Sequence, residues 1–228
     1  MEDGAASSSF PFVLLTCILA WIAYVLWYAL LRKDYSSSLN TTPATPKKTL
    51  LLDLDETLVH STLKRPARHS FKLDVTLGKI QSEFYVIKRP YVDRFLRQVC
   101  NWYNVYIFTA GVKDYASPLL LKLDPQGNIH GRFFRDSCTQ RKDLAGLDYY
   151  VKEFSSIGMD PSQTIIIDNQ PISYSLNKDS AIPIDHFFED PRDQELLNIL
   201  PCLDVLRYVQ DVRSILGLRL RVPPPEQR

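Results

Sequence analysis

Residues 49–60 read TLLLDLDETLVH, an apolar run that leads into a turn with two aspartates. The continuous apolar character of TLLLDL at 49–54 is typical of a parallel strand that is covered on both faces. Two runs of the same kind follow along the chain, VYIFTA at 105–110 and TIIID at 164–168. The three runs therefore predict three buried strands.

Helical and hairpin patterns separate these runs. Residues 90–102 open with Pro90 and space apolar side chains for one helical face, and residues 113–123 also predict a helix. FKLDVTLGKIQSEFYVI at 71–87 predicts a hairpin around Gly78. Strands that alternate with helices predict an α/β fold with a Rossmann-like parallel sheet, into which the small β-hairpin is inserted.

The C-terminal part of the chain predicts one more strand and a last helix. AIPI at 181–184 is the candidate strand. The helix is predicted to have Asp190 as its N-cap and Pro191 at its first helical position. Its apolar spacing continues past Leu206, with a predicted break at Pro201.

Composition places the chain among ordinary folded proteins with an apolar appendage. The 228 residues are 45% apolar and 23% charged, and the net charge is +1. Without a long basic stretch, nucleic acid is not an expected partner. The four cysteines are scattered without a C-x-x-C pair, and the four histidines lack metal-ligand spacing, which argues against a zinc site.

The N-terminal segment predicts one transmembrane helix. Residues 10–31 contain 22 residues without a charge, and a helix of ~33 Å spans a hydrocarbon core of ~30 Å. Arg32 and Lys33 follow at once, which predicts that the large domain faces the cytosol or nucleoplasm. The expected organisation is an N-terminal tail (1–9), the transmembrane helix (10–31), a flexible tether (32–48), a globular α/β domain (49–216) and a C-terminal tail (217–228).

Polar residues follow each of the three apolar runs, where ligands bind in open parallel sheets. The strand ends predict one cleft lined by Asp53, Asp55, Thr109, Asp168 and Asn169. Carboxylates and an amide suit a hard cation that prefers oxygen ligands, and Mg²⁺ is the first choice. For any one aspartate taken alone, a turn or helix-capping role is the simpler interpretation.

DLDETLVH at 53–60 resembles the DxDx(T/V) motif of haloacid-dehalogenase-superfamily phosphatases. It is most similar to the branch that holds the small phosphatases of the RNA polymerase II C-terminal domain and the nuclear-envelope phosphatase Dullard. The resemblance covers about residues 49–216, through six further blocks in the same order: KRPYVDRFL (88–96), YIFTAG (106–111), YYVKEF (149–154), IIIDNQP (165–171), NKDSAIPI (177–184) and LLNILPCLDVLR (196–207).

The resemblance implies catalytic roles for four residues. Asp53 attacks phosphorus and forms an aspartyl-phosphate. Asp55 protonates the leaving oxygen and then activates water. Thr109 hydrogen-bonds a phosphate oxygen, and Lys152 supplies a fixed cation that Asp168 orients.

The resemblance also implies a metal site and a substrate groove. Mg²⁺ is expected on the side chains of Asp53 and Asn169 and on the backbone carbonyl of Asp55, with Asp168 as a further candidate through a bound water. Tyr115 and Arg135 match residues that shape the groove.

Four features depart from the family pattern around the groove. Gly111 stands where a serine is usual, Gln170 where a serine is usual, and Leu63 where polymerase-tail enzymes carry an aromatic. The segment between Cys138 and Lys152 is longer than in the small phosphatases. These departures leave the expected mechanism intact but change the expected groove.

The resemblance implies a protein serine/threonine phosphatase of the endoplasmic reticulum or nuclear envelope. Its expected partners are a phosphoserine or phosphothreonine protein, such as a lipin-type substrate, and a small membrane regulatory subunit. A polymerase-tail phosphatase is an alternative that the membrane helix disfavours. A binding module of the mitochondrial inner-membrane import receptor is another, disfavoured by the intact motif and by the absence of Arg and Lys from residues 1–31.

Overall fold

The computed structural model describes residues 46–218. Ten strands lie in this part of the chain: β1 (Thr49–Leu52), β2 (Val59–Thr62), β3 (Phe71–Leu77), β4 (Ile80–Lys88), β5 (Asn104–Phe108), β6 (Gly131–Phe133), β7 (Thr139–Lys142), β8 (Asp148–Val151), β9 (Thr164–Asp168) and β10 (Ala181–Pro183). It also contains five α-helices: α1 (Val92–Trp102), α2 (Lys113–Leu123), α3 (Glu195–Asn198), α4 (Leu200–Leu206) and α5 (Arg213–Leu216).

Five strands form a parallel sheet in the order β10-β9-β1-β5-β6. Alternate residues of β1 enter cores on opposite faces of the sheet. Leu50 and Leu52 join the main core, which the helices cover, whereas Leu51 packs into a smaller core with Ile166 and Phe154. The predicted α/β fold with a doubly covered parallel sheet is therefore confirmed.

The parallel register brings three strand ends to the same edge of the sheet. Leu52 at the end of β1 pairs with Ile107 of β5 on one side and with Ile167 of β9 on the other. The sheet extends from β1 through β5 on one side and through β9 on the other, so a crevice opens beyond the ends of these strands. Asp53, Thr109 and Asp168 follow or end the three strands there.

The predicted hairpin is confirmed, and the structure adds a third strand to it. β3 and β4 pair antiparallel across Gly78 and Lys79, and Gly78 has the left-handed φ of 62° that favours glycine. β2 pairs with the other edge of β4. The long segment after Cys138 forms a second hairpin, β7–β8.

The predicted start of the last helix is wrong. Asp190 and Pro191 lie in a turn, in which the Asp190 carboxylate accepts the backbone N–H of Arg192 at 2.9 Å. The first C-terminal helix, α3, begins at Glu195. The predicted break lies at Ile199, just before α4, which carries Pro201 in its first turn.

The predicted transmembrane helix at 10–31 lies outside the described residues, as do the N-terminal tail, most of the tether and residues 219–228 of the C-terminal tail. Between Pro46 and Leu218, no helix has the length and apolar character needed to cross a bilayer.

Candidate active site

A cleft of about 370 Å³ opens beyond the carboxyl ends of β1, β5 and β9. The structure brings every residue predicted for the site into the lining of this cleft: Asp53, Asp55, Thr109, Tyr115, Arg135, Lys152, Asp168 and Asn169. These residues are separated by up to 116 positions along the chain, from Asp53 to Asn169, so the sheet topology assembles them.

A buried ammonium group joins two carboxylates at the base of the cleft. Lys152 is 1% exposed, and its Nζ donates to Asp53 Oδ1 at 2.5 Å and to Asp168 Oδ2 at 2.6 Å. Burial lowers the pKa of Lys152, but the two carboxylates outweigh this effect and raise it above its ordinary value. Lys152 therefore remains a fixed positive charge.

Asp168 has the opposite balance of influences. Burial and then the charge of Asp53 raise the pKa of Asp168 to about 6, although Lys152 opposes both. Its second oxygen, Oδ1, accepts the backbone N–H of Gln170 at 2.8 Å. With both oxygens bound, the carboxylate is held in one orientation against Lys152.

Asp55 also lines the cleft, and a phenol binds its carboxyl group. Tyr115 Oη donates to Asp55 Oδ1 at 2.5 Å, and the same Oη lies 2.6 Å from Ser61 Oγ. Burial raises the pKa of Asp55 to about 7; the Tyr115 hydrogen bond opposes this and the charge of Asp53 adds to it. The pKa of Tyr115 is itself raised, by burial and then by Asp55, so the phenol stays protonated.

Thr109 and Gly111 form one wall of the cleft, next to Asp55. Thr109 is 1% exposed, and its Oγ1 accepts the backbone N–H of Gly111 at 2.9 Å. A Cβ at Gly111 would lie 3.1 Å from Thr109 Oγ1 and 3.6 Å from Asp55 Oδ2. Glycine thus leaves open the space beside both side chains.

Asn169 is held at both ends of its amide by residues to which the sequence gave no role. The Thr57 hydroxyl donates to Asn169 Oδ1 at 3.2 Å, and Asn169 Nδ2 lies 2.7 Å from His186 Nδ1. Arg89 in turn donates to the backbone carbonyl of Thr57 at 3.1 Å. These contacts fix the amide oxygen with respect to the cleft.

The donor set of the cleft fits Mg²⁺. Asp53, Asn169 and the Asp55 carbonyl offer oxygens alone, the ligands that this ion prefers. With both carboxylates ionised, Asp53, Asp168 and Lys152 together carry one net negative charge. Among residues 46–218, no group of three or more His, Cys, Asp or Glu side chains is arranged as a metal cage, so the predicted set depends on a carbonyl and an amide.

Comparison with known families assigns the chain to one of them. The model of the NLI interacting factor-like phosphatases matches residues 48–213. The chain belongs to that family. The resemblance to haloacid-dehalogenase phosphatases of the nuclear-envelope branch is thereby confirmed, because phosphatases named for the nuclear envelope are among its relatives.

Two relatives of this phosphatase family illustrate the degree of similarity. The CTD nuclear envelope phosphatase 1 of Xenopus tropicalis is 41% identical over 193 residues, covering 81% of this chain and 77% of that protein. The probable C-terminal domain small phosphatase of Dictyostelium discoideum is 46% identical over 169 residues, covering 74% of this chain and 54% of that protein. The chain thus spans about half the length of the Dictyostelium relative.

One solved structure shows the fold of this family. The solved structure of Fcp1, an essential RNA polymerase II CTD phosphatase, superposes on this chain with a TM-score of 0.53. The two sequences are 19% identical, and the match covers 78% of this chain and 55% of that one. At this identity the likeness establishes the shared α/β fold alone.

The groove side of this phosphatase domain depends on a contact that the sequence did not reveal. Arg135 is exposed, its Nε donates to the Ala110 carbonyl at 2.6 Å, and its guanidinium lies 4.9 Å from the ring centre of Tyr150. Tyr150 belongs to β8, so the long second hairpin supplies this support.

Two of the supporting residues differ in how far the sequence could have revealed them. Thr57 stands inside the DLDET motif, and a role for it was within reach of motif analysis. His186 carries no local pattern, because only the turn after β10 brings it to Asn169.

Proposed function

We propose that this protein is a membrane-anchored, Mg²⁺-dependent protein serine/threonine phosphatase that works through an aspartyl-phosphate on Asp53. The observation that carries the proposal is the buried Lys152 ammonium between Asp53 and Asp168. A lysine is rarely fully buried unless it is paired. A fixed ammonium at the base of a cleft, beside a carboxylate, suits a site in which that carboxylate must approach an anionic phosphate.

The first half of the reaction uses Asp53 as nucleophile. A carboxylate that approaches a phosphate dianion meets charge repulsion, and the Lys152 ammonium reduces it at the atom that attacks. Thr109 Oγ1 lies in the same wall and can donate its hydroxyl hydrogen to a phosphate oxygen. The bond from phosphorus to the leaving oxygen breaks as the bond to Asp53 forms.

Asp55 handles the protons in both halves. Its pKa, raised to about 7, keeps a substantial fraction protonated near neutrality, and the acid form can protonate the leaving oxygen. The resulting carboxylate can then accept a proton from the water that hydrolyses the phosphoenzyme. A carboxyl group that alternates between these states suits serine and threonine esters, whose leaving groups require a proton.

Asp53, Asn169 and the Asp55 carbonyl would hold Mg²⁺, with Asp168 beside them. When bound, the ion supplies further neutralisation of phosphate charge and alignment of its oxygens. The Thr57 and His186 contacts keep Asn169 in position for this role.

Relatives support the cellular setting of the proposal. The Xenopus protein and the Saccharomyces cerevisiae protein, which is 37% identical, are named for the nuclear envelope and for nuclear envelope morphology. We therefore infer a nuclear-envelope or endoplasmic-reticulum location, anchored through residues 10–31. A lipin-type phosphoprotein is the proposed substrate and a small membrane protein the proposed regulatory subunit.

A hydrolysis assay with matched variants tests the proposal. The full chain in detergent should hydrolyse p-nitrophenyl phosphate with Mg²⁺ and stop on addition of a chelator. Asp53→Asn should reduce turnover at least about 10³-fold, because it removes the nucleophile and keeps the side-chain volume. The matched control is Asp74→Asn, at an exposed aspartate of β3. Full activity in the Asp53→Asn protein would refute the covalent mechanism.

A further inference from the structure

Three residues from different elements form a chain of hydrogen-bonding groups that ends in the cleft. Asp55 follows β1, Ser61 belongs to β2, and Tyr115 lies in the first turn of α2. Tyr115 Oη lies 2.5 Å from Asp55 Oδ1 and 2.6 Å from Ser61 Oγ. Both contacts are short, so the phenol ties the carboxyl group to the antiparallel sheet and to the helix together.

The chemistry of the phenol sets the direction of the chain. A phenol carries one hydrogen. When Tyr115 donates it to Asp55, only its lone pairs remain for Ser61, whose own hydroxyl hydrogen completes the second bond. Ser61 therefore acts on Asp55 through Tyr115.

The chain also decides which oxygen of Asp55 faces the reaction. Oδ1 is bound to Tyr115, whereas Oδ2 lies beside Gly111, 3.6 Å from where a Cβ on that glycine would stand. The opening that glycine leaves therefore lies next to Oδ2. This oxygen is the one left to exchange a proton with a leaving group.

We propose that Tyr115 and Ser61 are positioning residues that hold Asp55 for proton transfer, so that they select for substrates with poor leaving groups. The inference rests on the proposed function and deepens it. A well-placed acid accelerates departure of a basic alkoxide, whereas a nitrophenolate leaves with little help. A groove wall alone would instead act through contacts with the substrate peptide.

The test uses small aryl phosphates, which do not extend along the groove. For phenyl phosphate, Tyr115→Phe should lower kcat/KM by about 30-fold, part of the factor that general acids contribute. For p-nitrophenyl phosphate it should change kcat/KM by less than about threefold. The ratio kcat/KM is the relevant quantity because it reports formation of the phosphoenzyme, the step in which the leaving group departs.

The packing around Tyr115 is retained in the Tyr115→Phe variant. The ring centres of Tyr115 and Phe84 lie 5.2 Å apart, and the Tyr115 ring packs against the main core. Phenylalanine keeps both contacts. Ser61→Ala offers a second, smaller change on β2, with an expected loss of about threefold to tenfold for phenyl phosphate. Tyr208→Phe is the control, because this exposed tyrosine lies beyond α4.

The double variant distinguishes a positioning role from a merely structural one. Adding Ser61→Ala to Tyr115→Phe should cause no further loss, since the serine acts through the phenol. Equal losses for all aryl phosphates, or additive losses in the double variant, would overturn the inference while the proposed function stood. A wild-type chain that hydrolyses none of these esters would overturn both.

Discussion

At the residue scale, replacement of Lys152 should lower the free energy of unfolding substantially. Lys152→Met leaves the Asp53 and Asp168 carboxylates buried without a cation, so the free energy of unfolding at pH 7 in a chelator should fall by about 3–5 kcal/mol. Urea unfolding measures the change. The loss should be smaller at pH 4, because Asp168, with its pKa raised to about 6, is then protonated.

The exposed Lys142 supplies the matched control for this experiment. Lys142 pairs with Asp148, and their side chains are 67% and 42% exposed, respectively. Lys142→Met should therefore change the free energy of unfolding by less than about 1 kcal/mol. Equal stability of the Lys152→Met protein and the wild type would contradict the account of the buried pair.

Asp55 predicts a pH dependence of stability in the metal-free protein. A carboxyl group whose folded pKa is raised to about 7 stabilises the fold below its unfolded pKa of about 4, and this contribution disappears as pH rises through 7. Asp55→Asn removes the ionisation. Relative to wild type, the variant should gain about 3–4 kcal/mol between pH 4 and pH 8, because each pKa unit between the unfolded and folded states corresponds to about 1.4 kcal/mol. Parallel stability curves for the two proteins would be inconsistent with the raised pKa.

At the scale of elements, a buried ion pair joins the start of α1 to the turn before α3. Arg89 is 1% exposed and binds the Asp193 carboxylate through Nε at 2.8 Å and a terminal nitrogen at 2.7 Å. Asp193→Ala leaves the guanidinium buried and unpaired, so it should lower the free energy of unfolding by about 3–5 kcal/mol.

An exposed ion pair gives the comparison for Asp193→Ala. Lys72 and Glu83 are 46% and 41% exposed, so Glu83→Ala should lower the free energy of unfolding by less than about 1 kcal/mol. The two variants are compared by chemical denaturation at one pH. Similar small losses in both would show that the Arg89 pair does not tie these elements together.

The predictions of helices and strands failed where long-range contacts such as this ion pair override the local sequence pattern. Asp190 and Pro191 have the local pattern of a helix start, but Asp193 is bound to Arg89, and α3 begins only at Glu195. β2 was missed for a related reason. Its four residues carry no alternating pattern, and they become a strand only by pairing with β4. The continuous apolar runs of β1, β5 and β9 were predictable because burial on both faces leaves a local signal.

The residues of the candidate site also differ in whether the local sequence reveals them. Asp53, Asp168 and Asn169 were within reach because each follows or ends a buried strand. Lys152 came from the family resemblance, since a lysine after a short strand looks like a surface residue. Ser61 and His186 were missed, because their contacts with Tyr115 and Asn169 depend on long-range packing.

At the scale of the whole molecule, the proposed anchor should affect location without affecting chemistry. Among residues 46–218, every residue that lines the cleft lies between Asp53 and Ser173. Removal of residues 1–33 should therefore leave turnover of a small soluble phosphate unchanged within about twofold. Dephosphorylation of a membrane-associated phosphoprotein in cells should fall sharply, because the effective concentration near the bilayer is lost. Equal rescue by both forms at matched expression would assign specificity to the groove instead.

The central claim is that Asp53 carries the phosphoryl group during turnover. The direct measurement is acid quenching of the full chain during steady-state hydrolysis of a labelled aryl phosphate with Mg²⁺, followed by peptide mapping. The account predicts an acid-stable, hydroxylamine-labile label on the peptide that contains Asp53, absent from Asp53→Asn and present in Asp74→Asn. A label on another residue, or none in a protein that shows a burst of product release, would contradict it.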